Sequence, residues 1–279
     1  MEKQQRSETC SVGDVLYNEQ EKVMEHIALE LKQISFRYLE ADKQKPLLDS
    51  LDLKVKDGEF ISIIGTSGSG KTTLFRLITG LEEPVNGGIY INGECHSNRL
   101  GSVGYMPQQD LLMPWRTILK NAVLPLELKG INSKTADKQV RELLKEFGLG
   151  GYENEYPSEL SGGMKQRLSF LRAVLSGSNI LLLDEPFSAL DAMTKQSMQE
   201  WLLGQWEKRK QTILFITHDI NEALFLSDRI FILTERPVRT LKEFIVRLDR
   251  PRKLSDLNKH AVIKTKEEIM AQFQVEATI

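Results

Sequence analysis

The residues with the clearest chemical pattern form the segment "GTSGSGKTT", which follows the apolar run "EFISII". Residues 65–72 fit the pattern G-x-x-x-x-G-K-[ST]. Glycine lets backbone N–H groups curl around phosphate oxygens, and the following helix directs its positive N-terminal end at the same anion. A bulky side chain here would keep the phosphate away from the backbone. The predicted phosphate-binding residues are Gly65, Thr66, Ser67, Gly68, Ser69, Gly70, Lys71, Thr72 and Thr73. Of these, Lys71 would neutralise the β- and γ-phosphates, and the Thr72 hydroxyl would ligate Mg²⁺.

The run "ILLLDEP" supplies two carboxylates at the end of an apolar strand. Ligands of open α/β sheets bind at the carboxyl ends of the strands. Asp184 would hold Mg²⁺ directly or through water, and Glu185 is placed to polarise an attacking water. Taken alone, the run is equally typical of a strand that ends in an acidic turn. The phosphate loop upstream favours the functional interpretation.

A third motif, "LSGGMKQR", combines a helix start with a second possible anion site. Ser161, Gly162 and Gly163 precede a helix that is predicted to begin near Met164. A serine before a helix caps it, and the free amides of the first turn can also meet a phosphate. One nucleotide does not need two cradles on one chain. A head-to-tail dimer does, because each cradle can close over the partner's nucleotide.

Composition limits the classes of function. The net charge is −2, which lacks the basic excess of a nucleic-acid binder. No apolar run reaches the roughly 18–20 residues that span a bilayer, and the N-terminus lacks the apolar core of a secretion signal. We therefore expect a cytosolic protein, or one attached to a membrane through partners. In such a compartment, Cys10 and Cys95 would stay reduced.

The apolar periodicity predicts the elements that must position these motifs. "FISIIG", "ILLLDEP" and "TILFIT" are runs typical of buried parallel strands, and the segments between them have helical spacing. "IALELKQISFRY" and "KPLLDSLDLKVKDGEF" alternate as strands do. "DRIFILTERPVRTLKEFIVRLDRPR" predicts two edge-type strands around a Pro-marked turn. The pattern as a whole predicts an α/β fold with an inserted helical subdomain at about residues 108–165.

Five motifs in this order resemble the ATP-binding-cassette (ABC) ATPases: the phosphate loop, "LSGGMKQR", "LLLDEP", "SALD" at 188–191 and "THD" at 217–219. The resemblance covers about residues 28–235. It implies a P-loop NTPase core with a mainly parallel sheet, an antiparallel β subdomain and the inserted helical subdomain. The implied division is a mobile N-terminal extension (1–26), the ATPase domain (27–235) and a C-terminal strand and helix tail (236–279).

The resemblance also implies roles for residues outside the first two motifs. Tyr38 lies where the family has an aromatic that stacks on adenine, although an ordinary strand aromatic is the alternative. Gln108 matches the glutamine that reaches Mg²⁺ and senses the γ-phosphate, with Gln109 as the second choice. Ser161, Gly162 and Gly163 would contact the partner's γ-phosphate, Asp191 would signal across the dimer interface, and His218 would contact the γ-phosphate. ATP and Mg²⁺ are the implied ligands, and a homodimer is the implied ATP-bound state.

Three kinds of ABC machine remain open: an importer subunit, a soluble ATPase of translation or DNA repair, and a stand-alone exporter ATPase. The stretch "DLLMPWRTILKN" contains L-x-P-W-x-T-x-x-x-N and is similar to the nitrate, sulfonate and taurine importers, as is the tail "RPVRTLKEFIVRLDRPR". Importers of a thiamine pyrimidine precursor share these features. The resemblance thus implies a peripheral subunit at the cytoplasmic face of the membrane. It would bind membrane permeases and act indirectly with an extracytoplasmic solute-binding protein.

Overall fold

The computed structural model of the chain describes residues 26–38, 46–96, 98–233 and 235–276. The predicted N-terminal extension lies outside these residues except for His26. The strands of the described part are β1 (Ile27–Phe36), β2 (Leu48–Lys56), β3 (Phe60–Gly65), β4 (Asn86–Ile91), β5 (Glu94–Cys95), β6 (Gly104–Met106), β7 (Ile180–Asp184), β8 (Thr212–Thr217), β9 (Arg229–Leu233) and β10 (Lys242–Ile245). Its α-helices are α1 (Lys71–Thr79), α2 (Ile118–Leu128), α3 (Ser133–Glu146), α4 (Gly162–Leu175), α5 (Ala192–Arg209), α6 (Ile220–Leu226) and α7 (His260–Glu276).

The central sheet has the order β10-β9-β3-β8-β7-β6, and all of its pairs except β10–β9 are parallel. Every residue of β3, β7 and β8 is buried. Burial on both faces is the reason why these strands are apolar without alternation. Their carboxyl ends meet at one edge of the sheet, so the loop after β3 and the carboxylates after β7 become neighbours. The predicted α/β core with a mainly parallel sheet is confirmed.

A second sheet, β2-β1-β4-β5, is antiparallel throughout. Its strands alternate buried and exposed residues, as in β2, where Leu51, Leu53 and Val55 point inward. These side chains share one apolar core with α1 and with Ile61 and Ile63 of the central sheet. This sheet is the predicted antiparallel β subdomain.

The helical region packs on the other side of the central sheet. Residues of α2, α3 and α4 share an apolar core with Leu181, Leu183 and Phe215 of β7 and β8. Thr117 caps α2, where its hydroxyl accepts a hydrogen bond from the Lys120 N–H at 3.3 Å. The predicted subdomain limit near residue 165 falls inside α4.

One prediction about the strands is wrong. Of the two strands expected to be edge-type, only β10 lies at an edge. Strand β9 pairs with β3 on one side and β10 on the other, and Phe231 and Leu233 are in the core. The charged residues that flank β9 gave it the appearance of an edge strand. In the part of the chain that the structure describes, no helix is both long and apolar enough to cross a bilayer.

Candidate functional site

The loop between β3 and α1 has the backbone shape of an anion cradle. Gly68 and Gly70 have φ angles of 75° and 106°, which L side chains rarely adopt. A Cβ on Gly65 would lie 2.5 Å from Ser69 Oγ, so this glycine is required by close packing. Gly70 caps α1 without a side chain, which leaves the N-terminal end of the helix facing the loop. The loop before α1 thus offers backbone groups, rather than side chains, to a ligand.

Lys71 folds back under this loop. Its Nζ donates hydrogen bonds to the carbonyl oxygens of Gly65 and Thr66, at 2.8 and 2.9 Å. Burial lowers the pKa of the ammonium, while the nearby carboxylates of Glu185 and Asp184 raise it. A buried cation held by carbonyl dipoles is ready to pair with an anion that enters the loop.

Ser69 indicates what the loop can accept. Its hydroxyl oxygen is buried and has no hydrogen-bond partner among the described residues. A buried polar atom without a partner is destabilising. A phosphate oxygen would supply that partner, so the residues of the loop fit a phosphorylated ligand.

Asp184 lies at the end of β7, behind the loop, and is 3% exposed. Burial raises its pKa, whereas a hydrogen bond with Thr72 lowers it, as do smaller effects of Tyr105 and Lys71. Burial also raises the pKa of Tyr105 to about 12, with a further contribution from Asp184. A carboxylate and a hydroxyl in contact form an oxygen donor set of the kind that Mg²⁺ prefers.

Glu185 follows Asp184 with a left-handed backbone, φ 44°. Its N–H donates to the Ile216 carbonyl of β8 at 3.0 Å, which holds this conformation in place. Glu185 Oε2 accepts a hydrogen bond from Gln108 Nε2 at 3.2 Å and lies 3.5 Å from His218 Nδ1. The side chains of Gln108 and His218, which follow β6 and β8, therefore converge on the carboxylate that follows β7.

Most of the phosphate loop lines one cavity of about 920 Å³, together with Gln108, Glu185 and His218. Tyr38 stands at one end, where its hydroxyl makes a 2.9 Å hydrogen bond with Thr73 Oγ1. Pro46, Leu47 and Pro237 add apolar surface to the lining. The predicted site residues that line the cavity are Tyr38, Gly65, Ser67, Gly68, Gly70, Lys71, Thr72, Thr73, Gln108, Glu185 and His218. Of the two candidate glutamines, the structure brings Gln108 to the cavity.

Thr66 and Ser69 belong to the phosphate loop and Asp184 ends β7 behind it, although none of the three lines the cavity. The other predicted residues lie elsewhere on the chain. Ser161 caps α4 through a 3.3 Å hydrogen bond from the Met164 N–H. Ser161 and Gly163 line a separate, shallow pocket of about 320 Å³. Asp191 caps α5 by accepting hydrogen bonds from Met193 and Thr194 N–H, both at 3.1 Å. The structure thus does not bring the second anion site to the phosphate loop of the same chain.

The two glycines of that motif have different surroundings. A Cβ on Gly163 would lie 3.0 Å from Thr194 Cγ2, and one on Gly162 would lie 3.0 Å from Leu190 Cδ2. Gly163 is buried and Gly162 is exposed. The close approach of α5 restricts side-chain size at Gly163, and Leu190 in the segment before α5 does so at Gly162.

Two residues of the cavity region were not predicted from the sequence. Tyr105 approaches Asp184 because β6 pairs with β7, with an O–O distance of 3.5 Å. Arg236 lines the cavity beside Gly68. Tyr105 could have been found from its position in "GYMPQQD", three residues before Gln108. The position of Arg236 depends on the path of the chain after β9, for which we find no local signal.

A network of charged residues connects the segments that follow Asp191 and His218. Lys195 Nζ lies 2.9 Å from Asp219 and 2.7 Å from Glu222. Glu222, which is 4% exposed, also accepts a short hydrogen bond from the Thr217 hydroxyl. The network joins α5 to α6 and thereby fixes the backbone on both sides of His218.

Comparison with known proteins agrees with these motifs. A family profile described as "ABC transporter" matches residues 48–188. A formylaminopyrimidine import ATP-binding protein, ThiZ of Halalkalibacterium halodurans, is 48% identical over 231 residues, which are 83% of this chain and 89% of that protein. An aliphatic sulfonates import ATP-binding protein, SsuB of Bacillus cereus, is 39% identical over 232 residues, 82% of this chain and 88% of that one.

Solved structures are also similar. The dimeric post-hydrolysis state of the ATP-binding cassette MJ0796, bound to ADP and Pi, has a TM-score of 0.69 and 31% sequence identity. The match covers 79% of this chain and 100% of that chain.

Proposed function

Because the chain belongs to the ABC transporter family and is an ATP-binding ATPase of an import system, we propose that it hydrolyses ATP in the cavity beneath its phosphate loop. The observation that carries this assignment is the convergence of Lys71, Thr72, Gln108, Glu185 and His218 on one cavity. Hydrolysis would drive the uptake of a small solute through separate permease subunits.

Different residues of the cavity would bind different parts of ATP. Backbone N–H groups of residues 65–72 and the N-terminal end of α1 would hold the phosphates. Lys71 would exchange its bonds to the Gly65 and Thr66 carbonyls for phosphate oxygens, and Ser69 would gain a partner. The ring of Tyr38 would stack on adenine, oriented by its hydrogen bond to Thr73.

Thr72, Asp184 and Gln108 would hold Mg²⁺. When bound, this ion neutralises charge on the phosphate oxygens during transfer. The contact between the Thr72 hydroxyl and the buried Asp184 carboxylate supports this assignment. Gln108 lies between β6 and α2 in the chain, so it would link the cavity to the helical region.

Glu185 would orient and polarise the attacking water. Its carboxylate is positioned by the side chains of Gln108 and His218, and its backbone by the Ile216 carbonyl. In phosphoryl transfer, most of the catalysis comes from such positioning and from charge stabilisation. His218 would contact the γ-phosphate from the end of β8.

A complete site would require two copies of the chain. Ser161 and Gly163 line a pocket apart from the phosphate loop of their own chain, so this motif, with Gly162 between them, would cover the nucleotide of a partner. In a head-to-tail homodimer each copy would contribute one cradle to each site, with Asp191 at the interface.

Mixing two inactive variants tests this arrangement. Lys71→Ala removes the cation of the loop, and Ser161→Asp keeps an N-cap while adding a negative charge that repels phosphate. With random pairing of equal amounts, half of the dimers are mixed and one site in each has both parts intact. Activity should recover to about one quarter of the wild-type value. A mixture as inactive as its components would contradict the shared site.

The helical region offers a surface for the permease. Asn121 is buried and binds the loop before α2: its Nδ2 donates to the carbonyls of Met113, Arg116 and Thr117, and its Oδ1 accepts from Met113 N–H at 2.8 Å. This fixed loop presents Trp115, which is 74% exposed. Trp115 would contact a short helix of the permease, and the chain would thereby be held at the cytoplasmic face of the membrane.

The transported solute is proposed to be a formylaminopyrimidine, the pyrimidine precursor class of thiamine. The 48% identity to ThiZ, against 39% to SsuB, favours this solute over an aliphatic sulfonate or taurine-like compound. The solute would be captured by a separate extracytoplasmic protein, so this chain would not touch it.

Affinity capture from gently solubilised membranes tests the assembly. Glu185→Gln with MgATP is the bait, and the same variant without nucleotide is the control. Recovery of one multi-span permease in the presence of MgATP would support the importer. The solute-binding protein of the same system should then bind a formylaminopyrimidine more tightly than an alkanesulfonate. Recovery of ribosomes or DNA-repair proteins without a permease would contradict the importer assignment.

A further inference from the structure

The chain after β9 returns to the phosphate loop and brings a second cation to it. A Cβ built on Gly68 would lie 2.7 Å from Arg236 Nη2, so the guanidinium rests against the loop. Arg236 lines the same cavity as Lys71 and Thr72. Gly68 combines this close approach with a φ of 75°.

The backbone of the segment that follows β9 is held by contacts with both sheets. Val238 is fully buried, and its N–H donates to the Leu47 carbonyl at 2.9 Å. The Val238 carbonyl accepts from the Asp49 N–H, also at 2.9 Å. Leu233, at the end of β9, pairs with Gly65 at the start of the loop. These anchors hold Arg236 beside the loop, even though its own side chain is exposed.

The charges of the cavity explain why a second cation is needed. Lys71 and Arg236 are the cations that line the cavity in the described part of the chain, and Glu185 lines it as an anion. Asp184 lies directly behind, close enough to influence the pKa of Lys71. Even with Mg²⁺ held by Asp184, a triphosphate keeps net negative charge and Glu185 repels it, so a second cation beside Lys71 would favour its binding.

Among the residues that the structure describes, Arg236 has no partner that would hold it away from a ligand. Within the described ranges, its guanidinium makes no ion pair or hydrogen bond. Arg239, three residues later, is instead paired with Asp49 Oδ2 at 2.9 Å. An unpaired guanidinium at a glycine-rich loop suits phosphate, which it can bind through two parallel N–H groups.

We propose that Arg236 is a nucleotide-binding residue that, together with Lys71, pairs with the β- and γ-phosphates. This role rests on the proposed nucleotide site and adds to it a residue from beyond the cassette motifs. It also gives the C-terminal segment a direct contact with the nucleotide.

Nucleotide titrations of the full chain test the role of Arg236. Arg236→Gln should weaken MgATP binding about tenfold, the effect of losing one charge-assisted hydrogen-bonded contact at an exposed position. MgADP, which lacks the γ-phosphate, should lose less. AMP lacks the two outer phosphates, so its affinity should be the same for the variant and the wild type. Arg236→Lys should recover part of the loss, and the affinity of Arg236→Gln should depend less on salt concentration.

Arg239→Gln is the matched control, because it removes a cation from the same segment without touching the cavity. It should bind MgATP as the wild type does. Equal MgATP affinity of Arg236→Gln and wild type would overturn the proposal, and so would a tenfold loss for AMP or an equal loss in the Arg239 variant. Lys71→Ala distinguishes a failure of the proposed nucleotide site from a failure of the Arg236 role alone. If Lys71→Ala leaves MgATP affinity unchanged, both the proposed site and the inference about Arg236 are wrong. If only Arg236→Gln has no effect, the inference alone fails.

Discussion

Replacement of Glu185 by glutamine tests the centre of the proposed mechanism. Glutamine has the same length, and its side-chain oxygen can still accept the hydrogen bond that Gln108 donates at 3.2 Å. It cannot take up a proton or carry a negative charge. Because the Glu185 side chain is only 20% exposed, water from bulk solvent cannot easily substitute for the lost carboxylate.

The structure sets the expected size of the effect. A positioned general base contributes roughly 10²- to 10⁴-fold to a rate, so the activation free energy should rise by about 2.7 to 5.5 kcal/mol. MgATP binding should be as tight or tighter, because one of the negative charges that lie near Lys71 is removed. Folding stability should remain unchanged, since the hydrogen bond of the Glu185 backbone to Ile216 does not involve the side chain.

The assay is single-turnover hydrolysis of ATP with enzyme in excess, combined with an equilibrium measurement of MgATP affinity. The matched control is Glu200→Gln, an identical change on the exposed side of α5. The variant should also accumulate as an ATP-bound dimer, because closure is no longer followed by hydrolysis. Hydrolysis at the wild-type rate by Glu185→Gln would refute the assignment. Loss of both binding and hydrolysis would show that the change disrupts the site rather than the chemistry.

Three further predictions concern the surroundings of the cavity. Tyr38→Ala should weaken ATP binding about tenfold through loss of base stacking, and Tyr38→Phe should lose less, since it removes only the 2.9 Å hydrogen bond to Thr73; titration with ATP separates the two. Lys195→Met should reduce the free energy of unfolding by about 2 kcal/mol in urea denaturation, because it leaves buried Glu222 unpaired; a change below about 0.5 kcal/mol would contradict this. Burial raises the pKa of Asp219, but the hydrogen bond and charge interaction with Lys195 lower it, and the net result is a lowered pKa. Its contribution to stability is therefore present above the unfolded pKa near about 4 and lost as pH falls through the folded pKa. In Lys195→Met this loss should begin at higher pH, as followed by acid unfolding.

Local sequence predicts the parts of the site that short segments encode. The phosphate loop depends on glycines and one lysine within a few residues, and Glu185 depends on the end of an apolar strand. Both patterns are set by backbone geometry that neighbouring residues determine. Burial of β7 and β8 on both faces is visible as the four-residue apolar runs at 180–183 and 213–216.

Features that depend on long-range pairing could not be predicted in this way. Strand β9 looks like an edge strand because it begins with the charged Arg229. The Arg229 guanidinium is nevertheless held by Glu59, which immediately precedes β3, and by Glu243 of β10. Arg236 reaches Gly68 only because β9 pairs with β3. The spacing in sequence between these partners carries no periodic signal.

Several unfavourable features are concentrated in the same cavity. Glu185 has a left-handed backbone that costs about 1 kcal/mol or more in a non-glycine residue. Ser69 Oγ is buried without a partner among the described residues, and burial lowers the pKa of Lys71. A bound triphosphate would supply acceptor oxygens for the Ser69 hydroxyl and negative charge beside Lys71. It would therefore give Ser69 a partner and offset the lowered pKa of Lys71. It would not relieve the backbone of Glu185, which is held by the Ile216 carbonyl in either state. Nucleotide binding should therefore stabilise the loop and α1 while leaving Glu185 in the strained geometry that directs its carboxylate toward Gln108 and His218.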